Sequence, residues 1–328
     1  MAPRLLLHGG SSSILRLAAA TGGGPSLLAR ALSAAAALPT STHAAATKPL
    51  TAAFCVIGDE ILNGKTLDTN SHHFAKRCFE LGVEVGKIEV VPDSYESIAS
   101  SVQQLSQAHD IVFTSGGIGP THDDITYSAI ARAFGKDLEY HQETLERMRR
   151  VMQQRRATTT LPDPQGTPEQ VACARMALFP KSSSASYPCE EYWVPVVCVA
   201  SNVHIFPGIP RLFQNLVDGY LPGLVAGLSD EPLQGFTRAL VGTRLHESVV
   251  APVLERLQER YAQESVRLGS YPNWPPKPSN SAPSASVDQV PLVVLSAVGK
   301  TKDQVEACKA ELCRLLDGFE LEGTSSDQ

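Results

Sequence analysis

The sequence predicts an α/β protein, a mostly parallel sheet with helices on both faces, followed by a small α+β domain. Three observations carry this expectation. From residue 51 onward, short apolar runs alternate with amphipathic helical stretches, the order that builds a covered parallel sheet. Polar, glycine-bearing loops follow the first and third apolar runs, where open α/β sheets place their ligands. Beyond residue 221 the pattern changes to a shorter β-α-β-β-α series.

Thr51 to Ile57 is an apolar run closed by Gly58 and reads as a buried strand. Leu67 to Leu81 reads as a helix, with Asp68 or Thr69 available as its cap and Gly82 as its stop. Val83 to Val91 is a second strand. Asp93 stands three residues before Glu96, a capping-box-like start to a helix whose apolar stripe is Ile98, Val102 and Leu105. Asp110 to Ser115 is a third strand, and a helix runs from about Ile125 to Phe134. His141 to Arg156 reads as a polar helix burying Leu145, Met148 and Met152. Leu161 to Pro168 is expected as a Pro-rich loop and Lys181 to Pro188 as a Ser-rich surface insertion. Strands return at Tyr192 to Val199 and Val203 to Phe206, and Pro207-Gly208-Ile209-Pro210 turns into a helix through Val217. A linker is expected around Leu221 to Pro232.

In the second series, Phe236 to Val241, Val266 to Tyr271 and Pro291 to Val298 read as strands, and Leu245 to Gln263 and Asp303 to Leu316 as helices. The expected divisions are a leader over 1–48, the main domain over 49–222, the small domain over 233–318 with a mobile Pro/Ser-rich insertion at 272–290, and a tail over 319–328.

Composition narrows the function. The 328 residues are 43% hydrophobic with a net charge of −6, and no long basic stretch is available to track a phosphate backbone, so nucleic acid is not an expected partner. No apolar run reaches the roughly 20 residues that span a bilayer, so no membrane partner is expected. The seven cysteines are odd in number, scattered and without a C-x-x-C pair, which predicts reduced thiols. The first fifty residues hold Arg4, Arg16, Arg30 and Lys48 but no acidic residue, and are rich in Ala, Leu and Ser. That composition predicts import into the mitochondrial matrix rather than a cytoplasmic location.

Chemistry concentrates in two loops. In Ser115 to Asp124 (SGGIGPTHDD), Gly116, Gly117 and Gly119 remove side-chain bulk so that backbone N–H groups can turn to an anion, ahead of a helix N-terminus. The adjoining Asp123 and Asp124 would repel a bare phosphate, and become sensible if a divalent cation lies between. His122 is open to several roles: proton carrier, phosphate contact or none. The second loop, Gly58 to Asn70 (GDEILNGKTLDTN), adds Asp59, Glu60 and Asp68 with the neutral hydrogen-bonding groups of Thr69 and Asn70. The dinucleotide fingerprint is absent, because Gly117 and Gly119 lack the third glycine and follow the third strand. Gly64-Lys65-Thr66 and Gly299-Lys300-Thr301 lack the upstream glycine of a Walker loop. His72 and His73 do not form an H-E-x-x-H arrangement, and no G-x-S-x-G nucleophile elbow occurs.

GDEILNGKTLDTN, SGGIGPTHDDIT and FPGIP, in that order, resemble the CinA-type branch of the MoaB/Mog (molybdopterin-binding) domain family, above all the N-terminal domain of eukaryotic FAD synthases. The likeness runs from Ala52 to Val217. It implies a three-layer α/β/α domain that binds a pterin or a nucleotide diphosphate and assembles as a homo-oligomer. In FAD synthase relatives the domain is associated with metal-aided hydrolysis of FAD to FMN and AMP, in CinA-type relatives with ADP-ribose pyrophosphatase activity, and in Mog-type relatives with adenylylation of molybdopterin. Asp124 falls on the aspartate these relatives share after the glycine loop. The implied catalytic residues are Asp59, Asp68 and Asp124. Gly58, Asn70, Ser115, Gly116, Gly117, Gly119, Thr121, His122, Pro207 and Gly208 form the expected ligand cradle. Asp59, Glu60, Asp68, Asp123 and Asp124 are the candidate ligands for cobalt, magnesium or manganese. Too few residues follow Pro210 for the separate module with which FAD synthases make FAD, so synthesis is not expected; a hydrolase or a non-catalytic flavin- or nucleotide-binding protein is.

Overall fold

A computed structural model describes residues 49–154, 160–229, 233–273 and 290–321. The expected leader, the end of the polar helix at 155–156 and most of the Pro/Ser-rich insertion lie outside these residues. By its contacts the chain divides into two units, one spanning Thr47–Phe236 and one containing Thr237–Gln328.

In the first unit the elements run β1 (Thr51–Ile57), α1 (Asp59–Leu62), α2 (Asn70–Glu80), β2 (Glu84–Val91), α3 (Tyr95–Ala108), β3 (Ile111–Ser115) and α4 (Thr126–Ala133). Next come β4 (Leu138–Tyr140), α5 (Gln142–Gln154), α6 (Pro168–Ala174), β5 (Leu178–Pro180), β6 (Ser184–Ser186), β7 (Val196–Val199), β8 (Val203–Phe206) and α7 (Pro210–Leu228). The main sheet has the order β2-β1-β3-β8-β7-β6. Its first four strands are parallel and its last two antiparallel. β4 and β5 pair separately.

Alternation along β1 makes the three layers. Ala52, Phe54 and Val56 face α2 and α7 through Phe74, Cys78, Phe213, Leu216 and Val217. Ala53, Cys55 and Ile57 face α3 and α4 through Ile98, Val102, Leu105 and Ile130. Phe54, Phe74, Phe113, Phe206 and Phe213 stack or tilt against one another at 4.5–5.5 Å between centroids. Burying each such ring stabilises the fold by roughly 2–3 kcal/mol. The result is the expected α/β fold.

Several local expectations are corrected. The run read as a linker from Leu221 is mostly helix: α7 continues through Pro222 to Leu228, because Leu221 and Val225 extend its buried stripe. The Ser-rich insertion supplies β6, an edge strand held by β7. The Pro-rich loop ends in α6, which starts from a capping box between Thr167 and Gln170. The predicted helix over Leu67 to Leu81 begins only at Asn70. α3 is capped by Ser94, whose side chain accepts from the Ser97 N–H, and not by Asp93.

The second unit holds β9 (Thr237–Thr243), α8 (Glu247–Ala262), β10 (Arg267–Pro272), β11 (Val293–Gly299), α9 (Lys302–Leu315) and β12 (Phe319–Leu321), with an antiparallel sheet in the order β10-β11-β9-β12. Part of the expected tail is therefore a fourth strand, paired with β9. Val241, Val250, Leu257, Leu295, Val305 and Leu312 centre its core. The buried Glu311 is satisfied by Arg260, at 3.1 and 2.9 Å, and by the Tyr261 hydroxyl at 3.0 Å.

Candidate functional site

Four parallel strands end on one edge of the main sheet, and each delivers a polar loop there. β1 leads into Gly58–Glu60, β2 into Asp93, β3 into the glycine loop and β8 into Pro207-Gly208. This edge is where the doubly wound architecture leaves backbone groups unpaired and loops convergent.

Close backbone approach explains the glycines. A Cβ on Gly116, whose φ is 106°, would lie 2.0 Å from the Ile57 carbonyl oxygen. One on Gly117, with φ 64°, would strike the Thr126 hydroxyl at 2.3 Å. Gly208 packs so closely that its Cβ would stand 3.2 Å from the Gly116 Cα. Thr126 fixes the loop by donating its hydroxyl to the Gly116 carbonyl at 2.8 Å and its N–H to the Gly117 carbonyl at 3.0 Å. The Gly116 N–H donates to the Phe206 carbonyl at 3.3 Å, so it is not available to a ligand as expected. Among the described residues the N–H groups of Gly117, Ile118 and Gly119 take no acceptor, and they form the donor set of the loop.

The predicted carboxylates separate into two groups. Asp59, Glu60 and Asp123 share a field with Asp93, which sequence reasoning had treated as a helix start. The Asp59 N–H donates to Asp93 Oδ2 at 3.1 Å. Asp93 Oδ1 would be 3.5 Å from a Cβ on Gly117, so its carboxylate bridges the first loop and the glycine loop. Partial burial pushes the Asp93 carboxyl above its usual range; the Asp59 N–H opposes this, and the negative charges of Asp59, Glu60 and Asp123 add to it. The signal that could have found Asp93 is positional: it is the first charged residue past the end of β2.

Asp68 and Asp124 are engaged locally. Asp68 accepts from the Ser71 N–H at 2.9 Å and from the Ser71 hydroxyl, tying down the first turn of α2. Asp124 accepts from the Thr121 N–H at 2.9 Å and from its hydroxyl, folding the loop back on itself. Arg175 donates to the Asp124 carbonyl at 3.5 Å. His122 is 97% exposed at the loop tip, with Nδ1 3.9 Å from Asp123. Asn70 is buried and joins three loops: its Nδ2 donates to Ser115 Oγ at 3.0 Å and to the Gly208 carbonyl at 2.9 Å. Ser115 Oγ in turn donates to the Pro207 carbonyl at 3.2 Å. Leu62 at the end of α1, Leu67 before Asn70 and Ile209 after Gly208 are exposed apolar side chains.

A family model described as a probable molybdopterin binding domain matches residues 53–226. The chain belongs to the MoaB/Mog domain family. Within this MoaB/Mog family its relatives are CinA-like and FAD synthase-related. A second model, described as the middle domain of FAD synthase, matches residues 236–322. A probable FAD synthase of Caenorhabditis briggsae is 36% identical over 68% of this chain and 43% of its own length. A CinA-like protein of Citrifermentans bemidjiense is 34% identical over 61% of this chain and 46% of its own. The chain thus spans less than half the length of these relatives. A solved structure of a CinA protein of unknown function from Thermoplasma acidophilum superposes with a TM-score of 0.45 at 25% identity, covering 54% of this chain and 98% of that one. All seven cysteines of this MoaB/Mog-family chain are unpaired, and among the described residues no helix is long and apolar enough to cross a membrane.

Proposed function

We propose that this chain hydrolyses a nucleotide diphosphate with the aid of a divalent cation, with FAD, cleaved to FMN and AMP, as the preferred substrate and ADP-ribose-type compounds as the next. The observation that carries this reading is the juxtaposition of a donor loop, Gly117 to Gly119, with the carboxylates of Asp59, Glu60, Asp93 and Asp123. The relatives described as FAD synthases favour a flavin nucleotide, and the exposed Leu62, Leu67 and Ile209 offer apolar surface to a planar ring.

The donor set fits one kind of cation. Among the described residues no three His, Cys, Asp or Glu side chains stand close enough to cage a metal by themselves. An ion such as Mg²⁺, Mn²⁺ or Co²⁺, taking one or two of these carboxylates together with phosphate oxygens and water, suits oxygen donors arranged around a phosphate loop. Bound there, such an ion would neutralise phosphate charge and lower the pKa of its water. The chain's own residues do the rest. The amides of Gly117, Ile118 and Gly119 hold the diphosphate and meet charge developing on its oxygens. Asp93 fixes Asp59 through its backbone N–H. Thr121 and Asp124 keep the loop folded, and Asn70 locks Ser115 to Gly208.

The test is release of AMP from FAD or ADP-ribose by the purified chain with Mg²⁺, Mn²⁺ or Co²⁺, followed by chromatography. Absence of AMP under every combination refutes the hydrolase reading. The description of the matching family favours one other reading, binding or adenylylation of molybdopterin. Product analysis with molybdopterin and ATP distinguishes it. A ligand-dependent rise in melting temperature with no product marks a non-catalytic flavin or nucleotide binder.

A further inference from the structure

Asn70 does more than bolt loops together. Its side-chain amide has two N–H donors and one acceptor oxygen. Both donors are spent, one on Ser115 Oγ and one on the Gly208 carbonyl. The orientation of the amide is dictated by those partners, since a carbonyl can only accept and Ser115 Oγ gives its own proton to the Pro207 carbonyl. That leaves Oδ1. It belongs to a residue only 6% exposed, and among the described residues no group satisfies it. Buried polar atoms of this kind are rare because an unmade hydrogen bond inside a protein is costly. The sequence reading places Asn70 in the ligand cradle without saying which part of the ligand it meets. A diphosphate at neutral pH offers acceptors and no donors, so Oδ1 is the wrong group for it.

We propose that Asn70 Oδ1 accepts a hydrogen bond from a sugar hydroxyl of the bound nucleotide, making the site selective for hydroxyl-bearing diphosphates. The inference rests on the nucleotide reading above but not on hydrolysis. Placement favours a sugar over the attacking water. Asp93 adjoins the glycine loop at Gly117, and the carboxylates that would hold a cation and its water gather with it. Asn70 adjoins the same loop at Ser115, beside Gly208 and Gly116. On a nucleotide whose diphosphate lies on Gly117 to Gly119, the sugar is the hydroxyl-bearing group next to the phosphates, and at the Ser115 side it would meet Asn70.

Calorimetric binding of ADP, 2′-deoxy-ADP and 3′-deoxy-ADP to the full chain, with and without Mg²⁺, tests this without any turnover. One deoxy analogue should bind about 10- to 100-fold more weakly than ADP, the loss set by one buried acceptor left unpaired. Asn70→Ala, checked for folding by its thermal transition, should bind ADP and that analogue equally. The ratio is the decisive readout, because a purely structural role would weaken all three ligands alike. Equal binding of all three nucleotides to the wild type overturns the proposal, and so does absence of binding by any of them. If selectivity is present while no AMP is ever released from FAD or ADP-ribose, the hydroxyl contact stands and only the hydrolase reading falls.

Discussion

Gly116→Ala and Gly135→Ala form a matched pair that tests whether close backbone approach builds the site. Both glycines have positive φ, 106° and 61°. A Cβ on Gly135 meets nothing within 4 Å, whereas one on Gly116 lands 2.0 Å from the Ile57 carbonyl oxygen. Left-handed backbone costs an L residue about 1–2 kcal/mol, and the Gly135 variant regains part of that by restricting the unfolded chain. Its net loss is about 1 kcal/mol. The Gly116 variant carries at least the same conformational cost and must also move the loop away from β1, since ordinary contact needs roughly 3.5 Å. That movement breaks the bonds from the Gly116 N–H to Phe206 and from the Thr126 hydroxyl to the Gly116 carbonyl. At about 1 kcal/mol for each bond the total is about 3–4 kcal/mol. For a unit of this size the melting temperature should fall by roughly 6–16 °C, against about 2–4 °C for Gly135→Ala. Scanning calorimetry of the two variants beside the wild type reads the difference. Melting temperatures for the pair that agree within a degree or two would refute the claim that contact between the strand ends, and not turn formation alone, requires glycine at 116.

The remaining expectations concern charge. Asp59→Asn and Asp93→Asn should each lower FAD turnover on the order of 100-fold, while Asp68→Ala should reduce stability by about 1 kcal/mol through its lost contact with Ser71 and leave turnover within a few-fold; steady-state kinetics and urea titration separate the two cases. Chelation with EDTA should abolish AMP release, and readdition of Mg²⁺, Mn²⁺ or Co²⁺ should restore it. The buried His204, hydrogen-bonded to Tyr220 at 3.0 Å, has its pKa lowered from 6.5 to about 4 by burial. The unfolded chain therefore binds a proton that the folded chain refuses, so stability is complete above about pH 6.5 and is lost as pH falls towards 4, by about 3 kcal/mol in all. His204→Gln should flatten that acid limb in urea titrations between pH 7 and pH 4.5, and an unchanged slope would assign the acid sensitivity elsewhere.

Apolar periodicity reveals whatever is decided by burial. β1, β2, β3 and β8 lie where their apolar runs predict, and Ile98, Val102 and Leu105 are the buried stripe of α3. Elements decided by pairing are harder to see. β6 is the sequence Ser-Ala-Ser and is a strand because β7 offers it a ladder, not because it has a face to bury. β12 is three residues long and exists through β9. The continuation of α7 beyond Val217 was hidden by Pro222 and by Gly219, Gly223 and Gly227, residues that individually disfavour helix but are outweighed by the core contacts of Leu221 and Val225. The α6 capping box was present in Thr167 and Gln170, but Pro168 made the stretch read as a loop. Proline at the first helical position is in fact a favourable start.

The site was legible as a set of residue types and not as an arrangement of them. Asp59, Asp68, Asp93, Asp123 and Asp124 are alike in sequence, each a carboxylate near a strand end or a helix start. What separates them is who reaches them first. Asp68 and Asp124 find hydroxyl and N–H donors three residues away, so local hydrogen bonds absorb their charge. Among the described residues Asp93 is answered by a backbone N–H thirty-four positions back, and its neighbours in space are three further negative charges. Local rules read the first kind of partner well, and that is why Asp93 was mistaken for a cap. A fold that gathers Asp59, Glu60, Asp93 and Asp123 beside free amide donors works against its own stability at Asp93, because each neighbouring charge raises the cost of ionising it. In the proposed reaction a cation and an anion arriving together would remove that cost. Asn70 presents the same logic without charge, as a buried acceptor that stays unmatched until a donor is brought to it.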